Sequence, residues 1–111
     1  MRKPRIALAQ IRYSDKNNNL EKIKKYIRLA KKANADIVCF AEICITKKET
    51  LHFNHVLLKE IKNECRKYSI WCIVSDEFKI GKKEYNIAIW IDRQGKIKGH
   101  YKKINIYGDE L

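Results

Sequence analysis

The sequence predicts an α/β layered sheet in the order strand–helix–strand–helix–strand, followed by a hairpin. Three observations predict it. Apolar residues recur at helical spacing in two segments. Apolar runs too short for helices precede and separate those segments. The last third alternates with a period of two on either side of a turn signal. Helices interleaved with apolar strands point to a layered sheet, which the hairpin extends in a partly antiparallel way.

Taken in order, residues 5–11 (Arg5-Ile6-Ala7-Leu8-Ala9-Gln10-Ile11) read as a short buried strand. Ser14, Asp15 and the asparagines of 17–19 supply side chains that start helices. Leu20, Ile23, Ile27 and Ala30 then form an apolar stripe, with Lys24, Lys25, Arg28, Lys31 and Lys32 mostly off it. Asp36 opens a second strand that is apolar at every position from 37 to 41, the pattern of a strand covered on both faces. The polar, irregular residues 46–54 read as loop. A second helix is expected over about 54–68, with Val56, Leu57, Leu58, Ile61 and Cys65 on its apolar face. Residues 70–75 form a third apolar strand. Tyr85, Ile87, Ile89 and Ile91 alternate with Asn86, Ala88, Trp90 and Asp92. Asp92-Arg93-Gln94-Gly95 turns the chain, which returns through Ile97, Gly99, Tyr101 and Lys103. No repeat, low-complexity stretch or internal boundary interrupts residues 1–111, so a single domain is expected.

A chain of 111 residues with 45% apolar content has room for one core. Its 25 basic and 13 acidic residues give a charge of +12, a field that could attract nucleic acid, anionic lipid or acidic substrates. The lysines are spread along the chain, however, which favours solvated helix faces and strand edges. Cys39, Cys44, Cys65 and Cys72 contain no C-x-x-C pair, and the three histidines are not spaced around them. That argues against zinc, and no cofactor is implied. The N-terminus is unlike a signal peptide, and no segment is long enough to span a bilayer. Thiols kept reduced in the cytoplasm are the simplest expectation.

Three residues could carry chemistry. Glu42 follows a buried strand directly, placing a carboxylate at the sheet's carboxyl edge, where open α/β folds bind ligands. Partial burial there would raise its pKa and suit it to proton transfer. The bland alternative is a helix cap or an ion pair with a lysine. Lys103 shares its strand phase with Ile97 and Tyr101, whereas Lys98, His100 and Lys102 share the other face. Lys102 is thus expected in solvent and Lys103 inward, where a cation could stabilise an oxyanion. A snorkelling edge lysine is its alternative. Glu110 by itself reads as a solvated terminus. None of the four cysteines stands out as activated, and no histidine has an evident partner for nucleophilic catalysis.

Five segments together resemble the N-terminal part of the nitrilase, or carbon–nitrogen hydrolase, superfamily. They are Arg5-Ile6-Ala7-Leu8-Ala9-Gln10, Asn19-Leu20, the run from Ala35 through Asp36, Ile37, Val38, Cys39, Phe40 and Ala41 to Glu42, Tyr85-Asn86-Ile87-Ala88 with the Gly95 turn, and Tyr101-Lys102-Lys103-Ile104-Asn105-Ile106-Tyr107. The resemblance implies an incomplete part of an α-β-β-α four-layer sandwich. It also implies acyl transfer on an amide or nitrile by a cysteine, a glutamate base and an oxyanion-stabilising lysine. Glu42 would be the base, Lys103 the oxyanion partner and Glu110 a second, orienting glutamate. The chain departs from the family pattern at Ala41 (usually proline), at Thr46-Lys47-Lys48-Glu49 (usually glycine–tyrosine) and at Asn105 (usually histidine). The family's nucleophilic cysteine belongs to a later strand, so residues 1–111 are expected to be inactive alone. Partners implied are a small amide or nitrile substrate, and a C-terminal half or a second copy to cover exposed inner-face residues. Two other readings stand beside this one: a non-catalytic relic that binds a partner, and a small basic nucleic-acid-binding module.

Overall fold

The computed structural model describes residues 3–11, 19–40, 45–46 and 51–102. They build one five-stranded sheet in the order β1-β2-β3-β4-β5. Its strands are β1 (Ile6–Ala9), β2 (Ile37–Phe40), β3 (Trp71–Ile80), β4 (Lys83–Ile91) and β5 (Ile97–Lys102). Helix α1 (Leu20–Lys32) joins β1 to β2, and α2 (Val56–Tyr68) joins β2 to β3. β1, β2 and β3 are parallel, while β3–β4 and β4–β5 are antiparallel. Two crossovers stepping the same way across a sheet put both helices on one face. The expected order of elements is therefore observed, as the helix-covered part of an α/β sandwich.

Each helix forms where its apolar stripe can be buried. Ile23, Ile27 and Ala30 of α1 and Leu57, Leu58, Ile61 and Cys65 of α2 are buried in a single core. Val56, expected on that face, is the first residue of α2 and is 64% exposed. Asn19 stands at the N-cap of α1 but makes no side-chain capping bond; its backbone N–H donates to Ile45 O (2.8 Å). α1 ends as Asn34 turns left-handed (φ 62°) and Ala35 N–H closes on Ala30 O (2.9 Å), a conformation asparagine tolerates. His55 caps α2, its Nδ1 accepting the Leu57 N–H (3.1 Å).

The strands are apolar on both faces, yet these residues cover only one. On the helix side Val38, Phe40, Cys72, Val74, Phe78, Ile87, Ile89 and Ile91 are buried. On the other side Leu8 pairs with Cys39, Cys39 with Ile73, Ile73 with Trp90, and Ala88 with Tyr101. Ile6, Leu8 and Tyr101 of that face are 62%, 82% and 54% exposed. β1 is thus half exposed, contrary to its expected burial, because nothing among the described residues lies over it.

Three boundaries move. β3 continues five residues past Ser75 to Ile80 and forms a tight hairpin with β4 through Gly81 and Lys82. Leu51, in the expected loop, is fully buried and bridges β3: its N–H donates to Glu77 O (2.9 Å), and Lys79 N–H donates to Leu51 O (2.8 Å). A register shift at Trp90/Ile91 places Ile97 opposite Ile91 while Tyr101 lies opposite Ala88. A bulge of this kind breaks strict alternation, so Ile97 packs against the helix-side core and Tyr101 faces the open side. Ile97 and Tyr101 therefore do not share a face, as the alternation alone had implied.

Asp92 ties the β4–β5 turn. Its Oδ1 accepts the N–H groups of Gln94 (2.8 Å) and Lys96 (2.9 Å), and Lys98 Nζ lies 3.8 Å from Oδ2. The Lys96 N–H bond leads in holding this carboxyl below the usual carboxylate range. A group depressed in the folded state adds stability above its unfolded pKa and loses it as pH falls through the folded value. Asp92→Asn should accordingly melt below the parent chain at neutral pH. The gap should close as pH drops below about 4, near the unfolded value. Thermal melts at a series of pH values check this, and a gap that stayed constant would contradict the ionic account.

Candidate functional site

β5 runs antiparallel to β4, and β4 antiparallel to β3, so β5 points the same way as β1, β2 and β3. The carboxyl ends of β2 and β5 consequently open at one edge of the sheet. Cys39 is level with Ile73, and Asp76, three residues further along β3, is level with Ile87 and Lys102. Three strand spacings, roughly 14 Å, separate β2 from β5. Two extended side chains with a small acyl substrate between them would fill such a gap. Glu42 follows the last residue of β2 by two positions and Lys103 follows the last residue of β5 by one. Glu42, Lys103 and Glu110 themselves lie outside the described residues, as does Cys44.

The described residues do show what grips the chain beside them. Asp76 is 1% exposed, on the helix side of β3. Its Oδ2 accepts the N–H groups of Ile45 and Thr46 (2.8 Å each), and its Oδ1 accepts the N–H of Glu77 (2.7 Å). Burial pushes this carboxyl up, the three N–H groups pull it back, and the neighbouring Glu77 charge adds a smaller upward push. Ile45 and Thr46 are themselves buried, and the Asn19 N–H holds Ile45 O from the start of α1. The chain is thus fixed just before residues 41–44 by β2 and just after them by Asp76.

At the other strand end, the Lys102 ammonium lies 4.4 Å from the Tyr85 ring centroid and Lys102 is exposed. Tyr101, on the opposite side of β5, faces the uncovered side of the sheet. Asn86 belongs to the same tyrosine–asparagine strand, and its buried Oδ1 has no hydrogen-bond partner among the described residues. Such an acceptor costs about 1–3 kcal/mol unless a donor reaches it.

Cys39, Cys65 and Cys72 carry thiols and no disulfide. Cys65 and Cys72 are buried, and burial pushes the Cys39 thiol up, opposite to the activation a nucleophile needs. No group of three or more His, Cys, Asp or Glu that could hold a metal occurs among the described residues. No described helix is long and apolar enough to cross a membrane.

The sequence profile of the carbon–nitrogen hydrolase family matches residues 5–110, nearly the whole chain. The chain belongs to the carbon–nitrogen hydrolase family. No curated protein matches it by sequence. Among solved structures it is similar to the NitN amidase of Nesterenkonia sp. AN1, of the nitrilase superfamily, with TM-score 0.79 and 20% identity, covering 97% of this chain and 47% of that one. A glutamate-to-glutamine variant of that amidase, carrying acrylamide added at its active-site cysteine, superposes with TM-score 0.80 at 19% identity over 97% of this chain and 47% of its own. A complex of that amidase with butyramide gives 0.76 at 19%, over 96% and 45%. Identity this low shows a shared fold. This carbon–nitrogen hydrolase chain spans about half the length of those structures.

Asp76 and the His55 cap escaped the sequence reading. The signal for Asp76 was present: it shares the phase of Cys72, Val74 and Phe78, all buried, and an acid in that phase must find donors.

Proposed function

We propose that this chain is the N-terminal part of a nitrilase-type hydrolase that cleaves a small amide or nitrile by acyl transfer. Glu42 acts as the general base, Lys103 stabilises the tetrahedral oxyanion, and Glu110 orients the site. The family resemblance assigns the cysteine nucleophile to a later strand, in polypeptide outside residues 1–111; among the described thiols, Cys65 and Cys72 are buried and burial pushes Cys39 up. The same polypeptide brings the second sheet that covers Leu8, Ile6 and Tyr101. The observation that carries this reading is the shared edge at which β2 and β5 end, immediately before Glu42 and Lys103. Family membership and the amidase-like fold support it. A glutamate that accepts the thiol proton and a lysine near the developing charge are the two groups such chemistry needs.

The open apolar face also favours a second reading, a non-catalytic relic that binds a partner through that face. A nucleic-acid surface is less well supported. Tyr101 and Lys102 point to opposite sides of β5, so they build no stacking strip.

An amidase assay with butyramide separates the first two readings. The purified 111-residue chain should release no ammonia. The same chain joined to the polypeptide that supplies the second sheet and its cysteine should release it. Turnover by residues 1–111 alone would overturn the assignment of the nucleophile, and a folded but inactive assembly would favour the relic.

A further inference from the structure

We infer that Asp76 is a positioning residue for the segment that bears Glu42; its catalytic consequence rests on the reading of Glu42 as the base. Four residues, 41–44, separate the end of β2 from Ile45. At their near end Cys39 is locked in register with Ile73. At their far end Asp76 Oδ2 accepts both the Ile45 and the Thr46 N–H at 2.8 Å, while Ile45 O accepts the Asn19 N–H. Fixing the chain at both points that flank so short a connection is the way a residue outside it can act on the aim of Glu42, and that is the role inferred for Asp76. A buried carboxylate suits this task better than a neutral acceptor. Hydrogen bonds to an ionised acceptor are shorter and about twice as strong. Its other oxygen accepts the Glu77 N–H, so both carboxylate oxygens of Asp76 are engaged by backbone donors, as suits a residue that holds chain.

Further down the chain the Leu51 bridge ties the same connection to β3 once more. The Asp76 contacts are therefore the ones next to Glu42, and the Leu51 bridge anchors the end near α2. Loss of the carboxylate should loosen 45–46 while leaving 51 paired.

Amide hydrogen exchange on the 111-residue chain, parent against Asp76→Asn, tests the clamp. Exchange at Ile45 and Thr46 should accelerate roughly tenfold or more, the worth of a hydrogen bond to a charged acceptor. The Val38, Ile73 and Leu51 amides should keep their protection. Unchanged exchange at 45–46, or equal acceleration at all these amides, would overturn the inference. Should Asp76→Asn fail to fold, scalar coupling across the hydrogen bonds in the parent chain decides: the Ile45 and Thr46 nitrogens must couple to the Asp76 carboxyl carbon, and absent coupling overturns the clamp.

In the assembled hydrolase, Asp76→Asn should lower kcat with KM for butyramide little changed, since the variant misaims the base without touching the substrate. Unchanged kcat beside a large loss in Glu42→Gln would refute the positioning role and leave the base assignment standing. Unchanged kcat in Glu42→Gln would refute the base assignment, while the exchange result still decides the clamp.

Discussion

Glu42→Gln is expected to lower turnover of a small amide by the assembled hydrolase about 10²–10⁴-fold, the usual worth of a positioned general base. Glutamine keeps the shape but cannot take the thiol proton, so KM should change far less than kcat. Lys103→Ala should cost about 10²–10³-fold, in the range set by removing one donor to a developing oxyanion. The double variant should lose much less than the product of the two factors, because base and oxyanion partner act in one step. Steady-state kinetics on the three variants check this. Full multiplicativity would mean that the two residues serve separate steps or separate sites. The assignment has a structural basis that ends two residues before Glu42 and one before Lys103: β2 and β5 run in the same direction and end at one edge.

Gly95→Ala should give the largest loss of stability. Gly95 closes the β4–β5 turn at φ 76°, and a Cβ there would sit 2.5 Å from Lys62 O and 3.2 Å from Arg66 Cβ on α2. The left-handed backbone costs an L residue about 1–2 kcal/mol. The clash is with helix backbone, which cannot swing aside, and overpacking of this kind adds about 1–3 kcal/mol. A domain of this size loses roughly 4–8 °C of Tm per kcal/mol, so a drop on the order of 10 °C or more is expected. Gly81 supplies the control. It has φ 62° but nothing within 4 Å of its would-be Cβ, so Gly81→Ala should show only the backbone cost. Equal losses at the two glycines would show that the turn does not press on α2. The contact matters for function because that turn launches β5, whose far end precedes Lys103.

The helices were legible in the sequence because each carries its burial pattern on one stripe: Ile23, Ile27 and Ala30 in α1, Leu58, Ile61 and Cys65 in α2. The order of elements along the chain followed from the apolar runs between those stripes and the alternation beyond them. The length of β3 was not legible, since Asp76 and Glu77 look like the start of a turn. The phase that Asp76 shares with Cys72, Val74 and Phe78 hinted at its burial, but its partners, the N–H groups of Ile45, Thr46 and Glu77, are seen in the fold. Leu51 misled for a related reason, being a single buried apolar residue in a polar stretch, with its partner on β3 far along the chain. The exposure of Leu8 on an apolar strand has another origin. Its residue type answers to a layer that the described residues do not supply, and one strand's sequence carries no record of which layer that is. The bulge at Trp90/Ile91 defeated simple alternation in β5, whose two ends therefore follow different phases. At the candidate site the sequence named Glu42 and Lys103, which lie outside the described residues; β2 and β5 end two and one positions before them. The chain that grips residues 45–46 became visible only through contacts made across 30 or more positions.

The most direct test of the hydrolase reading is a structure of the assembled protein with its nucleophilic cysteine replaced by alanine and butyramide bound. The Glu42 carboxylate and the Lys103 ammonium should both lie within about 2.6–3.2 Å of the amide or of the position the cysteine sulfur would take. A structure in which the two groups point to different faces of the sheet, or in which butyramide binds away from both, would contradict the account.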